Sequence, residues 1–122
     1  MSAVERAGVV SLWGGRFASE DDFFAYVEKT YPDSGATSGF IRDSGIGYYD
    51  EDFAEGHYFT DGDVGAAIRE LSYGTTFPSS ATEAMGRVVG ANSIYAIYDV
   101  DTSELKSNAD KLVFVGAFTY SK

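Results

Sequence analysis

A chain of 122 residues with 9 Lys and Arg against 19 Asp and Glu carries a formal net charge of −10. That length is one domain, and that charge repels polyanions, which disfavours nucleic acid and anionic membrane surfaces and favours basic proteins. The absence of Cys removes disulfide and thiolate chemistry, and the single His leaves a zinc site short of ligands.

Hydrophobic residues make up 44% of the chain and aromatics 16%, with nine Tyr and nine Phe. Aromatics favour strands and interfaces, so a sheet-containing fold with some aromatics left at the surface is expected. Met1 to Gly8 reads as a flexible lead-in, with one α+β domain over 9–122. The N-terminus has no basic region followed by an apolar run, so no signal peptide is expected. The apolar runs fall far short of the roughly 20 residues of a spanning helix. A soluble, cytoplasmic protein is the expectation.

Val9 to Trp13 is β-rich and ends at the Gly14-Gly15 turn. Ser19 then suits a helix N-cap, Glu20, Asp21 and Asp22 suit the helix dipole, and Phe23, Phe24 and Val27 follow at helical spacing. The pattern predicts a helix over about 20–29, stopped by Tyr31-Pro32. Residues 33–39 read as a loop, and Phe40-Ile41-Arg42 either as a short strand or as part of the approach to the stretch at 45–53. Phe53 to Thr60 alternates like a strand and ends at the Asp61-Gly62 turn signal.

Val64, Ala67, Ile68 and Leu71 lie on one helical face, with Asp63 as a cap and Gly74 as a stop. Ser80 and Glu83 form a capping-box pair ahead of a third helix that runs to Gly90. Ile94 to Asp101 and Leu112 to Tyr120 read as strands. The second is apolar on both faces and is therefore placed centrally. The link between them is too short for a crossover helix, which points to an antiparallel hairpin. Three helices packed on one face of a mostly antiparallel sheet of four to five strands satisfy this order.

The stretch Gly45-Ile46-Gly47-Tyr48-Tyr49-Asp50-Glu51-Asp52-Phe53 stands out. From Asp43 to Asp63 there are seven acids and no Lys or Arg. Enzymatic signatures fail in turn. His57 lies in an alternating segment, and no Ser sits in a Gly-x-Ser-x-Gly context. Asp50-x-Asp52 begins like a calcium loop but has Ala54 and Glu55 at positions five and six. Asp99-x-Asp101-x-Ser103 fails with Glu104 at the glycine position and Asp110 at position twelve. Gly45-Ile46-Gly47 lacks the third glycine and the helix of a dinucleotide site. The nine basic residues are scattered rather than striped.

What remains is an acidic-aromatic binding surface. Tyr48 and Tyr49 are candidate anchors, and Asp50, Glu51, Asp52, Glu55, Asp61 and Asp63 supply charge. No catalytic residue, metal or cofactor is assigned. Phe53 is expected to tie the segment to the core. The competing readings are a small carboxylate-rich metal-dependent enzyme using His57, and an acidic adaptor for another basic protein.

Val10-Ser11-Leu12-Trp13-Gly14 with Phe17, the central Gly45–Phe53 motif, and Leu112 to Tyr120 together resemble the immunity protein 22 family. The resemblance implies an intracellular bacterial antidote. Such a protein is not an enzyme. It binds a cognate toxin domain and blocks it. On that reading the toxin would be basic, and a nuclease whose cleft the acids fill is one such partner.

Overall fold

The computed structural model describes residues 4–28, 38–44, 53–101 and 111–121. Among these residues, four strands form one antiparallel sheet: β1 (Val4–Gly15), β2 (Ala54–Tyr58), β3 (Ser93–Asp101) and β4 (Leu112–Thr119), in the order β2-β3-β1-β4. Four helices, α1 (Glu20–Val27), α2 (Gly39–Ser44), α3 (Val64–Glu70) and α4 (Ser79–Gly86), and a 3₁₀ turn at Gly74–Thr76 pack on it. This is the expected α+β class.

The helices divide between both faces rather than sharing one. Side chains alternate along β1 and β3. Val10, Leu12, Ile94, Ala96 and Tyr98 pack with Ala67, Ile68, Ala81 and Met85 of α3 and α4. Trp13, Tyr95 and Ile97 pack with Phe23 and Val27 of α1 and Phe40 of α2. Trp13 meets Phe40 edge-on at 5.0 Å, and Phe40 meets Tyr95 at 5.0 Å. The Phe40-Ile41-Arg42 segment is helical rather than a strand. Ser38 caps it, its Oγ accepting from Ile41 N at 3.0 Å.

Two further expectations change together. β3 and β4 form no hairpin, because β1 lies between them, and β4 is an edge strand. The burial explains why. Every residue from Val10 to Gly15 and from Ser93 to Tyr98 is buried, as central strands require, whereas β4 is mostly half-buried. With both faces of the sheet covered by helices, even an edge strand is apolar on both sides. β4 also breaks strict alternation. The register skips at Val115, between the pairs Leu12↔Gly116 and Trp13↔Phe114. That bulge, with Gly116 at φ 146°, brings Val115 and Phe118 onto the same core cluster.

β1 begins at Val4, ahead of the expected Val9, and pairs Val4 with Asp101 and Glu5 with Val100 before an irregularity. At the other end, Asn92 clamps the sheet. Its Oδ1 accepts from Phe17 N at 3.0 Å, and its Nδ2 donates to Phe17 O at 2.8 Å.

Local signals set most helix starts. Ser19 caps α1 by accepting from Asp22 N at 3.1 Å, and Asp63 caps α3 by accepting from Ala66 N at 3.0 Å. α4 differs from expectation: its N-cap is Pro78, which makes no side-chain capping bond, and the helix ends at Gly86. α3 ends before Gly74, which opens the 3₁₀ turn instead. A Cβ at Gly74 would overlap the carbonyl oxygen of Ile68, so the close approach demands glycine. The expected Tyr31-Pro32 stop lies outside the described residues.

Candidate functional site

At the end of the sheet where β3 finishes and β2 begins, an open cleft of about 430 Å³ is lined by Phe53, Glu55, Ser72, Tyr73, Tyr98, Asp99 and Tyr120, together with Ala54. Glu55 reaches it from β2, paired with Ala96 on the α3/α4 face. Its carboxylate accepts from Ser72 N at 2.9 and 3.2 Å, from Ser72 Oγ at 3.1 Å and from Tyr98 OH at 2.8 Å. These bonds dock the turn after α3 against β2 and engage both oxygens of the carboxylate with neutral donors.

Asp99 sits at the β1 irregularity with φ 62°, a left-handed conformation that Asp tolerates better than most residues. Its Oδ1 accepts from Gly8 N at 3.0 Å and Tyr120 OH at 2.5 Å. Tyr120 N in turn donates to Gly8 O at 3.0 Å.

Tyr73, Tyr98 and Tyr120 form a triangle of rings with centroids 5.0 to 5.4 Å apart. Burial raises the Tyr98 phenol well above its ordinary range, and the bond to Glu55 adds to this. Tyr120 is raised in the same way, by burial and then by Asp99. Both phenols therefore stay protonated and serve as donors to carboxylates, an arrangement suited to binding rather than proton transfer.

Tyr48, Tyr49, Asp50, Glu51 and Asp52 lie outside the described residues. They immediately precede Phe53, at the cleft end of β2. Asp61 and Asp63 follow β2 at its opposite end, so the strand separates them from Glu55. Both are exposed and shape the α3 entry: Asp61 Oδ1 accepts from Asp63 N at 3.0 Å. Asp43 accepts from Tyr26 OH at 2.6 Å, on the α1/α2 side. The described acids of that stretch thus do not form one patch. Phe53 does not anchor in the core: it is 46% exposed, at the rim of the cleft.

Sequence reasoning missed Ser72, Tyr73, Tyr98, Asp99 and Tyr120 as a group. The alternation that put Tyr98 and Tyr120 on strands was visible, but their meeting depends on the strand order. His57 is half-buried in β2, its ring stacked on Phe59 at 6.1 Å. Among the described residues, no group of three His, Cys, Asp or Glu is placed to hold a metal ion, and no helix is long and apolar enough to cross a membrane.

Fold and cleft together define a small α+β domain with an open cleft at one end of its sheet. The chain belongs to the Immunity protein 22 family, whose model matches residues 10–121. Membership implies a toxin partner and a neutralising role, in a family that is generally not enzymatic. No curated protein and no solved structure matches the chain.

Proposed function

We propose that this is a cytoplasmic immunity protein of a bacterial polymorphic toxin system, and that it blocks a basic cognate toxin domain with the acidic, aromatic end of its sheet. Phe53 and Glu55 mark that end, with Tyr48, Tyr49, Asp50, Glu51 and Asp52 adjoining them in the chain. The observation that carries this reading is the exposed Phe53 ring at the mouth of a cleft whose described lining includes two carboxylates and no Lys, Arg or His. An apolar anchor ringed by acids suits a basic surface, for which the nucleic-acid cleft of a nuclease is a natural source. Asp61 and Asp63, at the far end of β2, would act as a second, flanking contact.

The test is binding to the cognate toxin domain, measured across ionic strength. Changing Asp50, Glu51 and Asp52 together to Asn, Gln and Asn should slow association and flatten its salt dependence. An unchanged association rate and salt slope would reject the charged interface.

A further inference from the structure

We infer that the cleft between β2, the turn after α3 and the end of β4 is a pocket for one arginine side chain of the partner. That the partner is a toxin rests on the reading above; that the pocket takes a guanidinium rests on the cleft itself. Its volume of about 430 Å³ lies at the low end for small-ligand pockets, about 300–1,000 Å³, and fits a single long side chain better than a flat interface patch.

Its chemistry selects a cation. Tyr98 and Tyr120 form the floor, Tyr73 and the exposed Phe53 stand beside them, and Glu55 and Asp99 contribute two carboxylates. Glu55 is half-buried, and the hydrogen bonds it accepts all come from neutral groups of Ser72 and Tyr98, so its negative charge is solvated but not neutralised. A cation seated in the cleft against this cluster of rings meets aromatic surface and that field at once.

Guanidinium is favoured over ammonium for two reasons. It is more weakly hydrated, so it loses less on leaving water, and it stacks flat on aromatic rings. Because Ser72 and Tyr98 already engage both oxygens of Glu55, the grip comes from aromatic surface and charge rather than a two-pronged hydrogen bond.

Neutral isosteres keep the cleft folded. In Glu55→Gln, Oε1 still accepts from Ser72 N and Tyr98 OH, while Nε2 donates to the Ser72 hydroxyl. In Asp99→Asn, Oδ1 still accepts from Gly8 N and Tyr120 OH, and Asn tolerates the positive φ.

The test titrates the full chain with N-acetyl-arginine methylamide while the ring protons of Tyr73, Tyr98 and Tyr120 are followed by NMR. N-acetyl-lysine methylamide runs in parallel. Saturable shifts at these rings are expected, with arginine binding tighter than lysine. Glu55→Gln, Asp99→Asn and Phe53→Ala should each weaken binding, the first two by about tenfold. Phe53→Ala touches a side chain already half in solvent, so it keeps the experiment decisive if a carboxylate variant unfolds. Absent ring shifts, or shifts indifferent to all folded variants, overturn the pocket; lysine binding as tightly as arginine overturns the guanidinium assignment. Toxin inhibition separates the two claims. A chain that binds the arginine probe but neutralises no toxin sinks the functional reading alone. Undiminished toxin affinity in Glu55→Gln and Asp99→Asn sinks the pocket's role in recognition.

Discussion

The two buried phenols couple the stability of this protein to pH on the alkaline side. Tyr98 and Tyr120 are raised above the ordinary value of 10.0. The folded state therefore holds protons that the unfolded chain gives up. Their contribution to stability is complete below about pH 10 and is lost as pH climbs beyond it. The urea midpoint should stay level through neutral pH and fall above about pH 10, and the double variant Tyr98→Phe/Tyr120→Phe should show a shallower fall. A second prediction concerns Glu55. Glu55→Ala removes the acceptor for Ser72 and Tyr98 at once and should cost about 1–3 kcal/mol in chemical unfolding, chiefly because it strands the hydroxyl of the buried Tyr98. Gly74→Ala should cost about as much, through the backbone shift that the Ile68 carbonyl forces.

Among the elements, the helix caps offer a comparison within one molecule. Ser19→Ala and Asp63→Ala should each lose about 1 kcal/mol of stability by thermal melting, while Ser80→Ala should be near neutral, since α4 has no side-chain cap. Ser80 and Glu83 have the right types and spacing, yet Pro78 starts the helix earlier. Where a residue spoke only to its own neighbours, the sequence was readable. Ser19, Asp63 and the periodic faces of α1 and α3 placed those helices, and alternation placed β2, β3 and β4. Strand order was not readable, because it depends on which strands are covered on both edges. β4 looked central for the wrong physical reason: its apolarity reflects helices above and below, not strands on either side. The candidate site suffered accordingly. Glu55 and Phe53 were in view from local composition, but Tyr98, Asp99 and Tyr120 reach the cleft only through the neighbours of β1.

For the molecule as a whole, charge and fold are distributed unequally. The described acids at the cleft end and those at the α3 entry are held apart by the length of β2, so they should contribute to binding independently. Neutralising Asp61 and Asp63 together with Glu55 should give toxin-affinity losses that add within about 0.5 kcal/mol, whereas Glu55→Gln and Asp99→Asn, sharing one cleft, should not add. Isothermal titration across the variant set checks this.

The place of β1 between two strands from the far end of the chain has a consequence for synthesis. Val10, Leu12 and Trp13 emerge early, yet their sheet partners lie at 93–101 and 112–119. A ribosome-bound chain lacking those last segments holds a strand that lies inside the sheet without its neighbours, so the domain cannot close in stages from its N-terminus. Assembly waits for residues 93–119, and contacts of such long sequence separation fold slowly. An antidote built this way becomes competent all at once, only after residues 112–119 have left the ribosome.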